Sequence, residues 1–163
     1  MFRAFDRGLI AVTSVIVAAL MAVMTVVVLY GVFTRYVLND ALPWPEELAR
    51  YAMIWMSWVG GGLALRRGAH IATDLAINRL PERQRRVVLF IGNLLALGFL
   101  LIVVVFGLQL VERVSMQSTI ALGVSMQVPY AAVPIGAALM IYHLLIVMFA
   151  PSLELKRDTE MQA

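Results

Sequence analysis

The stretch GLIAVTSVIVAALMAVMTVVVLYGVFT, residues 8–34, decides the fold. It carries no charge and exceeds the ~20 apolar residues that a helix needs to cross a ~30 Å hydrocarbon layer. Arg3 and Arg7 precede it, as basic residues precede a secretory signal. The apolar part of such a signal is only about 7–15 residues long, however. The run therefore reads as a retained signal-anchor helix.

Outward from this run, three more charge-free runs follow, at 51–65, 87–111 and 114–153. The run 51–65 is short, but Pro45 suits the first turn of a helix, where its missing N–H is of no consequence. A helix over 45–65 then reaches roughly 31 Å at 1.5 Å per residue. The run 114–153 is too long for one crossing, and Pro129 and Pro134 interrupt it. Its first part, 115–128, is rich in Ser, Thr, Gln and Gly and reads as a polar connecting loop; its second part reads as a helix over 129–150. The sequence thus predicts an all-α integral membrane protein with four transmembrane helices at about 8–34, 45–65, 81–111 and 129–150. They form one domain over 1–153, followed by a polar cytoplasmic tail at 154–163.

The composition agrees. Of 163 residues, 62% are hydrophobic and 14% charged, against about 25% charged in an ordinary soluble domain. No cysteine is present, which excludes disulfides and thiolate metal sites. The sequence pI near 9.7 invites a nucleic-acid partner, but the positions of the basic residues explain it otherwise. Most of the 13 Lys and Arg residues lie before the first helix, between the second and third, or in the tail. Only Arg35, Arg50 and Arg113 lie on the other side. The positive-inside rule then puts both termini in the cytoplasm, and no nucleic acid is needed.

The outer loop between the first two helices holds Arg35, Trp44, Glu46, Glu47 and Arg50. Trp44 suits the membrane interface. Glu46 and Glu47 fall in the first turn of the second helix, where carboxylates complement the helix dipole. Arg50 follows Glu46 by four residues and Glu47 by three, so one face can hold a carboxylate–arginine cluster that Arg35 joins. The cluster reads either as a contact for a partner or substrate or, more simply, as a helix cap with an interfacial ion pair.

In the second helix, Ser57 and Gly61 are four residues apart, as are Gly60 and Ala64, a spacing that lets two helix backbones approach closely. In the inner loop, Arg66 and Arg67 can engage anionic headgroups. Ile71, Leu75 and Leu80 suggest a short interfacial helix there. His70 and Asp74 stand at i, i+4, which is compatible with metal but is more simply a hydrogen-bonded pair. No Asp, Glu, Lys or Arg falls near the middle of any predicted span, where ion-coupled carriers usually place coordinating groups. His143 reads as a packed residue. No nucleophile–base set, phosphate loop, metal site or cofactor site is evident, so the chain does not read as an enzyme.

Three blocks of residues occur in order along these helices. The first is Arg35-Tyr36, Leu42-Pro43-Trp44, Glu46 to Arg50, Trp55 and Gly60-Gly61. The second is Arg66 to Ile71 with Asp74. The third is Gly123, Pro129-Tyr130, Pro134-Ile135-Gly136 and Met140. With the topology, they resemble the small membrane subunit, DctQ type, of tripartite ATP-independent periplasmic (TRAP) transporters. The resemblance implies a bacterial inner-membrane system importing organic acids with sodium. A large membrane subunit would carry the transport sites, and a periplasmic solute-binding protein would deliver substrate. The small subunit would be a scaffold with no cofactor, its outer face open to the binding protein. Trp44, Glu46, Glu47, Arg50, His70 and Asp74 match the family's blocks.

Two other classes fit the residues less well. A small multidrug-type exporter working as a homodimer needs a carboxylate inside its first span, and 8–34 has none. A four-helix redox enzyme is opposed by the lack of cysteine and by histidines too far apart to share a haem.

Overall fold

The computed structural model describes residues 2–77 and 81–149, with side chains at 5–65, 81 and 84–148. Its helices are α1 (Phe2–Tyr36), α2 (Trp44–Ile77), α3 (Glu82–Arg113), α4 (Gln127–Tyr130) and α5 (Ala132–Phe149). Among the described residues the extended pairing is an isolated antiparallel bridge between Ser118 and Ser125. The class is all-helical, as the charge-free runs predict.

Among the described residues, three stretches are long and apolar enough to cross a membrane: Phe5–Tyr36, Gln84–Arg113 and Gln127–Met148. The last takes in α4 and α5. α2 is different, because Trp55, Trp58, three glycines and Arg50 dilute its apolar residues. It is instead packed on both sides, between α1 and α5.

Side-chain neighbours fix the helix directions. Gly31 of α1 lies against Pro45, and Gly60 of α2 lies against Val17, so α1 and α2 are antiparallel. Trp55 Nε1 donates to the Val128 carbonyl at 3.1 Å, and Gly62 meets His143, so α2 and α5 are parallel. Gly107 of α3 lies against Pro134, and Leu100 packs with Ala137 and Leu144, so α3 runs antiparallel to α5. The resulting row is α1, α2, α5, α3. The start of α1 and the end of α5 share one end of the bundle. There the Tyr142 hydroxyl donates to Asp6 Oδ1 at 3.4 Å, and the Phe5 and Tyr142 rings are 6.4 Å apart.

The seam between α2 and α5 brings backbones together. A Cβ on Gly136 would stand 2.6 Å from Trp58 Cβ and 2.7 Å from the Trp58 carbonyl oxygen. On the facing helix, a Cβ on Gly62 would stand 2.9 Å from His143 Cδ2, and Gly61 faces the Met140 side chain. Without hydrophobic driving force between helices in lipid, such close van der Waals packing is what holds them. Leu100, Ala137 and Leu144 form the core beside this seam, with Trp58, Leu97 and Met140 packed around them. The outer helices keep apolar faces exposed, including Leu29 on α1 and Leu95, Phe99 and Phe106 on α3.

Two boundaries differ from the sequence expectation. The short interfacial helix is not a separate element, because α2 runs on to Ile77. Between Leu65 and Pro81 no proline removes an N–H, and Gly68 alone costs too little to stop a helix. Ile71 and Leu75 thus continue α2; their side chains, and Leu80 entirely, lie outside the described residues, as does the tail at 154–163. At the other boundary, the helix expected from 129 begins at Gln127 and is divided at Ala131. Pro134 has no N–H to give the Tyr130 carbonyl, so one rung is missing there. The ladder resumes at Ile135, whose N–H reaches the Ala131 carbonyl at 3.2 Å.

Candidate functional site

The end of the bundle carrying Arg35 gathers most of the charged residues singled out from the sequence. α1 stops after Tyr36, and Asn39 takes the left-handed conformation at φ 52°, which asparagine tolerates better than most residues. The Asp40 N–H returns to the Thr34 carbonyl at 3.0 Å, closing the turn. Four residues later α2 begins. Trp44 is half-buried there against Tyr30, with ring centroids 5.6 Å apart.

Glu46 and Glu47 are neighbours in sequence and point to different partners. Arg50 Nη2 donates to Glu46 Oε1 at 3.1 Å, with both side chains well exposed. Glu47 turns the other way, and Tyr51 OH donates to its Oε1 at 2.5 Å. Its Oε2 accepts the N–H of Ala121 at 2.7 Å and of Leu122 at 3.2 Å. A carboxylate can accept on both oxygens at once, so Glu47 acts here as the ionised acceptor. The expected Glu47–Arg50 pairing is therefore absent, because the α3–α5 loop claims Glu47.

That loop is built to meet it. The Ser118–Ser125 bridge closes a short hairpin, and the Thr119 N–H donates to the Val124 carbonyl at 2.7 Å. Gly123 supplies the φ of 66° that the reversal needs. Thr119 is buried, and its Oγ1 accepts the Val124 N–H at 3.0 Å. This fold leaves the Ala121 and Leu122 amides aimed at α2. Gln127 ties the loop to α3 through the Val111 carbonyl, at 3.5 Å. Ile120, almost wholly exposed, stands at its tip.

Arg35 forms no ion pair with Glu46, although both line one groove. It borders a groove of about 280 Å³ between α1 and α2, whose lining includes Val32, Pro45, Glu46 and Ala49. Of the proposed packing residues, Gly60 faces α1 and Gly61 faces α5, whereas Ser57 and Ala64 are exposed. Arg66, Arg67, His70 and Asp74 belong to the last turns of α2, and their side chains lie outside the described residues.

Four partners escaped the sequence reading. Tyr51 was visible at i+4 from Glu47, but its role depends on which way Glu47 turns. The Ala121 and Leu122 amides carry no side-chain signal. Gly136, whose contact with Trp58 is the tightest backbone approach noted above, was marked only by the Pro134-Ile135-Gly136 run. Chemically, the arrangement fastens one loop to one helix and presents an ion pair and a cation at a surface.

Residues 24–153 match the family described as tripartite ATP-independent periplasmic transporters, DctQ component. The chain is 29% identical to the sialic acid TRAP transporter small permease protein SiaQ of Vibrio cholerae, over 80% of this chain and 76% of that protein. It is 26% identical to the C4-dicarboxylate TRAP transporter small permease protein DctQ of Rhodobacter capsulatus, over 91% of this chain and 78% of that protein. It is also 27% identical to the isethionate TRAP transporter permease protein DctMQ of Oleidesulfovibrio alaskensis, over 80% of this chain but only 22% of that longer protein.

Proposed function

The chain belongs to the DctQ component family of the tripartite ATP-independent periplasmic transporters, and from that premise we propose that it is the scaffold subunit of a sodium-driven importer of organic acids. The match over residues 24–153 carries this reading. The partner is a large permease subunit, and the match to a fraction of the longer DctMQ chain fits such a pairing, with the two parts joined in one polypeptide. The named relatives handle sialic acid, C4-dicarboxylate and isethionate. All are organic anions, and that is the substrate class proposed for the whole system.

α2 is the fourth span of this subunit. Its direction, antiparallel to α1 and parallel to α5, supports a reading with both termini on one side, and the positive-inside rule favours the cytoplasm of a bacterial inner membrane for that side. The Arg35 end then faces the periplasm, where Glu46, Arg50 and the Glu47-held loop are available to a solute-binding protein. The long spans are free of midspan charge, which suits a support better than a carrier.

The test is reconstitution. Sodium-dependent uptake into proteoliposomes is expected only when this chain, its large permease and the binding protein are present together. Uptake by this chain alone would overturn the reading. Charge reversal at Arg50 or Glu47 is expected to lower uptake, and co-purification with the large permease separates failed assembly from failed docking. Normal uptake with normal co-purification in both variants would reduce the charges to helix capping.

A further inference from the structure

The groove between α1 and α2 has a use that the scaffold reading does not supply. We propose that it binds one anionic glycerophospholipid, with the phosphodiester on Arg35 and an acyl chain along the groove floor. The floor is apolar: Val28, Gly31, Val32, Pro45 and Ala49 line it. Gly31 contributes no side chain and lies so close to Pro45 that a Cβ there would stand 3.2 Å from Pro45 Cβ. Val28 and Val32 are about half exposed, so the floor continues into the apolar outer face of α1. A chain lying in the groove can therefore enter sideways from the hydrocarbon.

The mouth is charged and sits at the right depth. Arg35 is next to the last residue of the apolar stretch Phe5–Tyr36, the level at which phosphates lie if that stretch crosses a membrane. Glu46 also lines the mouth, but its charge is offset by Arg50 at 3.1 Å. Among the described residues Arg35 makes no ion pair, so the three side chains together leave one positive charge at the mouth. A phosphodiester supplies the single negative charge that balances it. A small soluble anion would meet the same arginine but gain nothing from the apolar floor. The proposal depends only on α1 crossing the membrane and holds whether or not the chain is part of an importer.

Native mass spectrometry of the purified full chain in detergent tests it, with phosphatidylglycerol as the probe and phosphatidylcholine of matched acyl chains as comparison. One phosphatidylglycerol is expected to be retained in preference to phosphatidylcholine. Arg35→Gln is expected to weaken that binding about fivefold, the worth of one basic residue near a charged membrane surface, and Arg35→Lys to restore most of it. Val32→Trp, at an exposed position on the floor, is expected to weaken it without loss of charge. Arg113→Gln, at the same end but on α3, is expected to leave it unchanged, and inorganic phosphate is expected not to displace the lipid. Unaltered binding in Arg35→Gln or Val32→Trp would overturn the proposal. So would an equal loss in Arg113→Gln, which would mean diffuse attraction, or displacement by phosphate, which would mean a plain anion site. Thermal unfolding of each variant confirms that the chain being weighed is folded; should Arg35→Gln fail this check, Val32→Trp carries the same test alone.

Discussion

The glycines of the α2–α5 seam and those of the α3 outer face are chemically identical and structurally opposite. At the seam, Gly136 and Gly62 bring backbones together, and a Cβ added to Gly136 would run into the Trp58 backbone, whereas Gly61 meets only the movable end of the Met140 side chain. On α3, Gly92 and Gly98 have nothing within 4 Å of the place a Cβ would take. A glycine in a membrane helix is thus a permission for contact, and only the neighbour decides whether the permission is used. Burial follows the same division: the most apolar part of the α4–α5 stretch is 39% buried, against 6% for that of the α3 stretch.

The contrast can be broken at its strong end first. Gly136→Leu is expected to force α2 and α5 apart and cost about 3 kcal/mol or more, at the upper end of what overpacking a close-fitted site costs. Thermal unfolding in detergent and loss of the monodisperse peak would register it; a native-like melting temperature would mean that the seam is not a rigid contact. Glu47→Ala comes next, because it strands the Ala121 and Leu122 amides. Hydrogen exchange at those two amides is expected to rise about tenfold, the consequence of removing a charged acceptor, with little change in the exchange of α3. Trp55→Phe removes one neutral hydrogen bond to the Val128 carbonyl, and a loss of about 1 kcal/mol is expected in the same melts. Gly98→Ala should act in the opposite sense, raising stability by up to about 1 kcal/mol through better helix propensity. A clear loss there would show that α3 has a neighbour on that face even in the isolated chain. Smallest is Glu46→Ala, whose exposed pair with Arg50 is worth well under about 1 kcal/mol.

What the sequence made legible was whatever depends on the chain's own periodicity and charge. The runs 8–34 and 87–111 needed no partner to be recognised as helices, and Pro81 marked the start of α3 one residue ahead of Glu82. The family was legible too, from blocks spread across α1, α2, α4 and α5. What stayed hidden depends on direction. Glu46 and Glu47 both lie in the first turn of α2, and only the placement of a loop more than seventy residues away assigns Glu47 to Ala121 and Leu122. The small-residue spacing in α2 named Gly60 and Gly61 alongside Ser57 and Ala64, because spacing cannot tell which side of a helix meets a neighbour. The interfacial helix was misplaced for a related reason. An apolar pattern after a charged pair looks like a new element, but the backbone has no cause to break there.

The order of the row, α1, α2, α5, α3, has a consequence for how the chain is made. Its third long helix leaves the ribosome with its principal neighbour still unsynthesised, since α3 packs chiefly on α5. Until the last helix arrives, α3 has no place in the bundle to occupy. The segment from Gln127 to Phe149 then enters between two helices already present, bringing Gly136 for the seam and Val128 for Trp55. The bundle is therefore completed by its keystone: a nascent chain halted before Gln127 holds an α1–α2 hairpin and an α3 still without its principal neighbour.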